Sequence, residues 1–218
     1  RADGLECCGT ARTGAASAGR RSEYAFRFSG RVARIFDPGE FDLSCPLHVL
    51  ARELADTHTI APAAPHHFLG QSPRIRHSPE IAAFARDQIE PGLSALEVLT
   101  RLSRALHAEI AFDPTATDVT TSPEEAFLAR RGVCQDISHI MITALRAVGI
   151  PAGYVSGFLR TEPPEGEARL EGADAMHAWV RAWCGSEMGW VEMDPTNDMR
   201  VGEDHITVAI GRDYADVA

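Results

Sequence analysis

No apolar run in these 218 residues approaches the ~20 residues that a membrane-spanning helix needs. The start has no basic-then-apolar stretch of the signal-peptide kind. Basic residues form no cluster beyond short pairs such as Arg130-Arg131, and the formal charge is -10, so no surface is laid out to track a phosphate backbone. Neither a membrane nor a nucleic acid is expected as a partner, and a cytoplasmic location is. The five cysteines (Cys7, Cys8, Cys45, Cys134 and Cys184) are odd in number and irregularly spaced, which fits neither a disulfide framework nor a paired CxxC zinc site. They read as free thiols in a reducing compartment. What the chain does have is 44% hydrophobic residues, enough at this length for one well-buried domain with an appendage or for two small ones.

Residues 1–31 are rich in Gly, Ala, Ser and Arg, which predicts poor order there, and residues 1–60 as a whole read as a poorly ordered region or the remnant of a β domain. Two short stretches, "VARIF" (32–36) and "LHVLAREL" (47–54), read as strands around the Asp37-Pro38-Gly39 turn. Residues 61–77, with Pro62, Pro65 and Pro73, read as a linker, leaving 78–218 as the main domain. There Ser78-Pro79, Ser94 with Glu97, and Ser122-Pro123 with Glu125 mark three helix starts. The third helix is expected to end at Gly132. A fourth begins near Cys134, carries Ile137, Ile140, Met141, Ala144, Leu145 and Val148 at helical spacing, and stops at Gly149 before Pro151. The period then changes to that of strands in "AGYVSGFLR", "HAWVRAWC" and "WVEMD", separated by an acidic Pro/Gly loop at 161–174. Helices followed by an antiparallel sheet make an α+β fold.

Helix N-termini present unpaired N–H groups and the positive end of the macrodipole, a setting that favours a thiolate. Cys134 has that placement, although a cysteine at a helix start is more often a packing residue, so its partners decide. The pair Gly185-Ser186 suits a two-residue turn. With that turn, Cys184 faces Glu187 and His177 directly faces Asp194, within reach of an imidazole–carboxylate hydrogen bond. A longer loop or a bulge would shift this register. Singly, His177 reads as a strand histidine and Asp194 as the cap of a "DPTN" turn. Jointly with Cys134 they supply a nucleophile, a base and a carboxylate to orient the base.

The blocks "RRGVCQDISHIMITALRAVGIPAGYVSGF", "MHAWVRAW", "GWVEMDPTN" and "HITVAIGRDYADV", in this order, resemble the bacterial transglutaminase-like superfamily, a papain-like thiol fold that includes cysteine proteases. The resemblance runs from about Ser78 onward. Over residues 1–60, where members carry a fuller β region, it is poor, and members tend to continue past "GRDYADV". It implies Cys134 as nucleophile, His177 as general base and acid, Asp194 as orienter, and a Cys134 helix packed on the sheet that carries the other two. The activity implied is thiol acyl transfer on a peptide or protein amide, either hydrolysis by a peptidase or amidase or transfer to an amine by a transglutaminase. A non-catalytic interaction module with the same fold is the rival from another class. No cofactor or metal is called for, and no EF-hand-like loop is present.

Other residues carry weaker signals. Trp179 and Trp190 fall on or beside the face of His177 and are candidates for walling an acyl pocket, though packing serves equally well. Asp136 reads as the cap of the Cys134 helix. His139 is expected to pack or to bind a carbonyl, and His205 to be structural. His66, His67 and His77 lack a carboxylate or thiol at ligand spacing and read as solvated.

Overall fold

The computed structural model describes the backbone of residues 5–15 and 22–32, and residues 41–160, 165–166 and 176–218. The chain divides into two units, Arg1–Asp37 and Pro38–Ala218. In the first, β1 (Leu5–Ala15) pairs antiparallel with β2 (Ser22–Val32), Leu5 opposite Val32 and Ala15 opposite Ser22. This ladder corrects the expectation of irregular chain over residues 1–31. The overlooked signal is the alternation of Tyr24, Phe26 and Phe28, a period of two that the Gly/Ala/Ser content obscured. Of "VARIF", Val32 ends β2 and the rest lies outside the described residues, as does most of the 161–174 loop.

The second unit opens with α1 (Leu47–Ala55), which replaces the expected strand. Leu47, Leu50 and Leu54 are spaced by three and four, and Leu50 is fully buried in the main core. The stretch read as a linker is also packed. It holds a short 3-10 turn at Pro65–Phe68, and Phe68 and Ile75 are buried. Its prolines shape a strap on the body of this unit, which starts well before residue 78. Arg146 clamps the strap, donating to Gly70 O, to Ser72 Oγ, and to the carbonyls of Ala152 and Arg212.

Then follow α2 (Pro79–Asp87), α3 (Ala95–Glu109), β3 (Ala111–Phe112), α4 (Pro123–Ala129), β4 (Arg131–Gly132) and α5 (Cys134–Ala147). Ser78, Ser94 and Ser122 cap their helices, the last two in full capping boxes with Glu97 and Glu125. α4 ends earlier than expected, at a left-handed Arg130 (φ 55°), and β4 then pairs parallel with β3. Gly149, at φ 85°, takes the left-handed position after α5.

The sheet consists of β5 (Ala152–Leu159), β6 (Met176–Trp183), β7 (Trp190–Asp194), β8 (Met199–Arg200) and β9 (His205–Gly211), in the order β8-β7-β6-β5-β9, with every pair antiparallel. Helices and an antiparallel sheet in one unit are the expected α+β class. Ala178, Val180 and Ala182 of β6 share a core with Ile137, Ile140, Met141, Ala144 and Leu145 of α5. The alternate residues of β6 point to the other face, where Trp179 packs with Val155 and Val201. Room for that indole comes from Gly157. A Cβ there would lie 2.4 Å from Trp179 Cη2 and 2.1 Å from the Ile206 carbonyl, at the bulge where the β5–β9 register shifts.

Candidate active site

Cys134 is the first residue of α5 and is partly buried. Its helix start is fixed by Asp136, whose carboxylate accepts the Val133 N–H at 2.8 Å and the Thr117 hydroxyl. Gly132 makes this possible, since a Cβ there would sit 2.7 Å from Asp136 Oδ2. Asp136 is thus the cap that its position in the first turn suggests.

The β6–β7 loop is longer than a two-residue turn. Cys184 N–H bonds Gly189 O, Gly189 N–H bonds Gly185 O, and both glycines have positive φ (104° and 72°). Trp183 therefore faces Trp190, and Val180 faces Met193. The direct His177–Asp194 register is corrected by two residues. A shift of two preserves the face, and Asp194 becomes the diagonal neighbour of His177, still within side-chain reach. Nε2 of His177 lies 2.9 Å from Oδ2 of Asp194, with both side chains fully buried.

Asp194 also caps its turn, so its two sequence readings hold together. Oδ1 accepts the backbone N–H groups of Thr196 (3.0 Å) and Asn197 (3.3 Å). Oδ2 accepts Asn197 Nδ2 at 2.7 Å and meets His205 Nε2 at 3.1 Å. His107 of α3 ties the same turn down, its Nδ1 lying 2.9 Å from the Thr196 carbonyl. Burial works to raise the Asp194 pKa, but the hydrogen bonds from His177 and His205, the His177 charge and Asn197 hold it below the usual carboxylate range.

Burial alone would lower the pKa of His177. The Asp194 carboxylate and, after it, Cys134 outweigh burial and raise it from 6.5 to about 9. Cys134 is thus near enough to act on the ring as a hydrogen-bond partner, while Nδ1 of His177 is buried and meets no partner at close hydrogen-bond geometry among the described residues. One ring nitrogen is bound to a carboxylate and the other is left open, as an imidazole that exchanges a proton requires.

The other candidates fall elsewhere. Trp179 is completely buried, its indole N–H bonded to Glu192 (2.8 Å) and its ring edge-on to His205 (centroids 5.2 Å apart), so it backs the histidines and presents no open pocket wall. Trp190 donates to the Ala63 carbonyl (3.2 Å) and stacks under the Arg181 guanidinium (3.9 Å), beside Phe68 and Trp183. His139 packs, the first of its two expected roles: it is buried against Tyr154 (centroids 5.1 Å apart), and its Nε2 accepts the Tyr214 N–H at 3.2 Å in place of a carbonyl contact. The His66 and His67 rings lie against each other at a tilt of 53°, centroids 4.1 Å apart. A pocket of about 310 Å³ lined by Leu69, Ile75, Thr143 and Ala147 opens toward the opposite end of α5 and contains none of the site residues.

His205 is the residue that sequence reading missed. Together with His177 and Asp194 it forms, among the described residues, the one group whose potential ligand atoms converge within 4.8 Å. The Nε2 atom of each imidazole is hydrogen-bonded to Oδ2 of the carboxylate and the group is fully buried, so its contacts are those of a hydrogen-bonded cluster. No local pattern marked His205, because β9 lies beside β5 and its approach to Asp194 follows from strand order alone.

The transglutaminase-like superfamily profile matches residues 82–195, just over half the chain. An uncharacterized protein of Mycobacterium tuberculosis is 41% identical over 146 residues, covering 64% of this chain and 46% of that protein. A protein-glutamine gamma-glutamyltransferase of Pseudomonas aeruginosa is 36% identical over 102 residues, covering 45% of this chain and 15% of that enzyme. The chain thus spans less than half the length of these curated relatives. A candidate cysteine protease of known structure from Cytophaga hutchinsonii superposes with a TM-score of 0.56 at 26% identity, over 70% of this chain and 48% of that one. The fold, the order of helix and strands around Cys134, His177 and Asp194, and the profile match agree, and the chain belongs to the transglutaminase-like superfamily.

Proposed function

We propose that this chain is a thiol acyl-transfer enzyme with Cys134, His177 and Asp194 as its triad, acting most directly as a cysteine peptidase or amidase. The observation that carries the reading is the His177 ring, held by Asp194 on one nitrogen and open on the other, with Cys134 close enough to raise its pKa. At neutral pH a ring with a pKa of about 9 is protonated, and an imidazolium beside the sulfur favours the thiolate. The sulfur attacks the amide carbonyl carbon, and the developing oxyanion is met by the Cys134 backbone N–H, one of the unpaired donors of a helix start. His177 gives its proton to the departing amine as the C–N bond breaks, leaving a thioester on Cys134. Neutral His177 then takes a proton from water, whose oxygen attacks the thioester as the C–S bond breaks, releasing the acid and restoring the thiolate beside protonated His177.

Aminolysis of the same thioester would make the chain a transglutaminase, a second reading supported by the likeness to the Pseudomonas glutamyltransferase. The substrate in either case is a peptide or protein amide. Incubating a glutamine-containing peptide mixture with the protein, and following peptide cleavage and ammonia release by mass spectrometry and enzymatic assay, tests the proposal. Turnover that Cys134→Ala abolishes supports it, and turnover that Cys134→Ala leaves intact overturns it.

A further inference from the structure

Asp194 is held by two imidazoles from strands that are not neighbours, His177 on β6 and His205 on β9, both fully buried. The tautomer of His205 follows from its other nitrogen. The Gly202 N–H donates to Nδ1, a long contact of 3.4 Å, so Nδ1 is an acceptor and the ring proton sits on Nε2, directed at Oδ2 of Asp194 3.1 Å away. Among the described residues, the other donors to this carboxylate apart from His177 come from its own turn, Thr196 and Asn197, and His205 is the one that ties it to a strand not adjacent to β7 or β6. The His205 ring is itself fixed, with Trp179 packed edge-on against it and Gly157 leaving space for that indole.

We propose that His205 is a positioning residue: its Nε2–H pins Oδ2 of Asp194 where that oxygen meets the His177 ring, and so sets the orientation in which Nδ1 of His177 faces Cys134. The proposal rests on the Cys134–His177 reading above. Among the described residues, the titratable groups that act on His177 are Asp194 from β7 and Cys134 from α5, with His205 from β9 reaching it through Asp194. Without the Nε2–H donor, Oδ2 keeps Asn197 from its own turn as its other partner beside His177, and the direction in which it meets the His177 ring is less firmly set.

The test is the pH dependence of Cys134 alkylation by iodoacetamide, located by peptide mass mapping on the whole chain, with a thermal melt of each variant at pH 7. His205→Gln keeps an N–H near the Nε2 position, whereas the shorter side chain in His205→Asn cannot reach Asp194. The Asn variant is expected to be alkylated about tenfold more slowly at neutral pH, the scale usual for loss of an orienting partner, and the Gln variant within about twofold of wild type. The alkaline limb should move down by about one pH unit in the Asn variant alone. A folded Asn variant with the wild-type profile, or a Gln variant as impaired as the Asn one, overturns the role of His205. A wild-type profile that His177→Ala leaves unchanged overturns the Cys134–His177 reading and this proposal with it. The nitrogen-15 spectrum of the wild-type imidazoles at pH 7 tests the same geometry without substitution: a proton on Nε2 of His205 is expected, and a proton on Nδ1 contradicts it.

Discussion

Asp194 meets His177 diagonally across β6 and β7, 2.9 Å from Nε2 to Oδ2, and the same carboxylate closes the turn that follows it. One side chain therefore carries two loads. Asp194→Ala should cost about 3 kcal/mol of stability, because His177, His205 and Asn197 are left buried without their acceptor. Chemical denaturation measures it. Asp194→Asn, which keeps the shape, should lose less.

Activity should follow a different order. Cys134→Ala is expected to lower kcat by about 10⁴ or more and His177→Ala by nearly as much, while Asp194→Asn retains the most of the three. Steady-state kinetics on any peptide the protein turns over ranks them. Equal activity in all three variants and the wild type would remove the triad from the mechanism.

The buried histidines set the pH range of stability. His177 has its pKa raised from 6.5 to about 9, so its contribution is complete below pH 6.5 and is lost as pH rises toward 9. His139 is the opposite case. Burial, opposed only in part by Asp213, lowers its pKa from 6.5 to about 4, and its contribution is lost as pH falls from 6.5 toward 4. Asp194, held below 3.8, adds a further loss at still lower pH. Melting temperature should peak near pH 6.5 and fall on both sides. His177→Ala should flatten the alkaline limb, and His139→Asn the acid limb above pH 4.

Gly157 is the tightest position behind the site. Gly157→Ala puts a methyl group against the Ile206 carbonyl and Trp179 Cη2, neither of which can yield without moving β9 or the indole. A loss of about 3 kcal/mol in a denaturant titration is expected, and a change under about 0.5 kcal/mol would contradict the packing described.

Hydrolysis and transamidation separate cleanly in this chain because it contains no lysine. Its own side chains supply no primary amine, so cross-linked multimers cannot arise through them. With a glutamine-containing peptide and a fluorescent primary amine at low millimolar concentration, the hydrolase reading expects ammonia without amine incorporation. Preferential incorporation would replace it with the transglutaminase reading and leave the thioester chemistry in place.

The helices around Cys134 were legible because serine caps, prolines at first positions and three-four spacing act locally. The strands β5, β6 and β7 were legible for the same reason, and the His177–Asp194 pairing partly so. The assumed two-residue turn was wrong by two residues, but the period of a strand is also two, so the face survived. What depended on distant packing was not legible. Phe68 reads as part of a linker although its ring packs against Gly153, whereas Leu50, read as a strand residue, shares with Leu47 and Leu54 a three-four spacing that is a local helical signal. His205 reaches Asp194 only through the placement of β9 at the far side of β5.

The central claim is that Cys134 is a nucleophile served by His177, and the most direct measurement compares it with the other thiols of the same unit. Cys45 has its pKa raised, chiefly by burial with Glu53 adding to it, and burial pushes the Cys184 thiol up to about 12. With substoichiometric iodoacetamide at pH 7, Cys134 should be alkylated at least about tenfold faster than Cys45 or Cys184, and His177→Ala should remove that advantage. Labelling of Cys134 no faster than Cys45, unchanged by His177→Ala, would contradict the account.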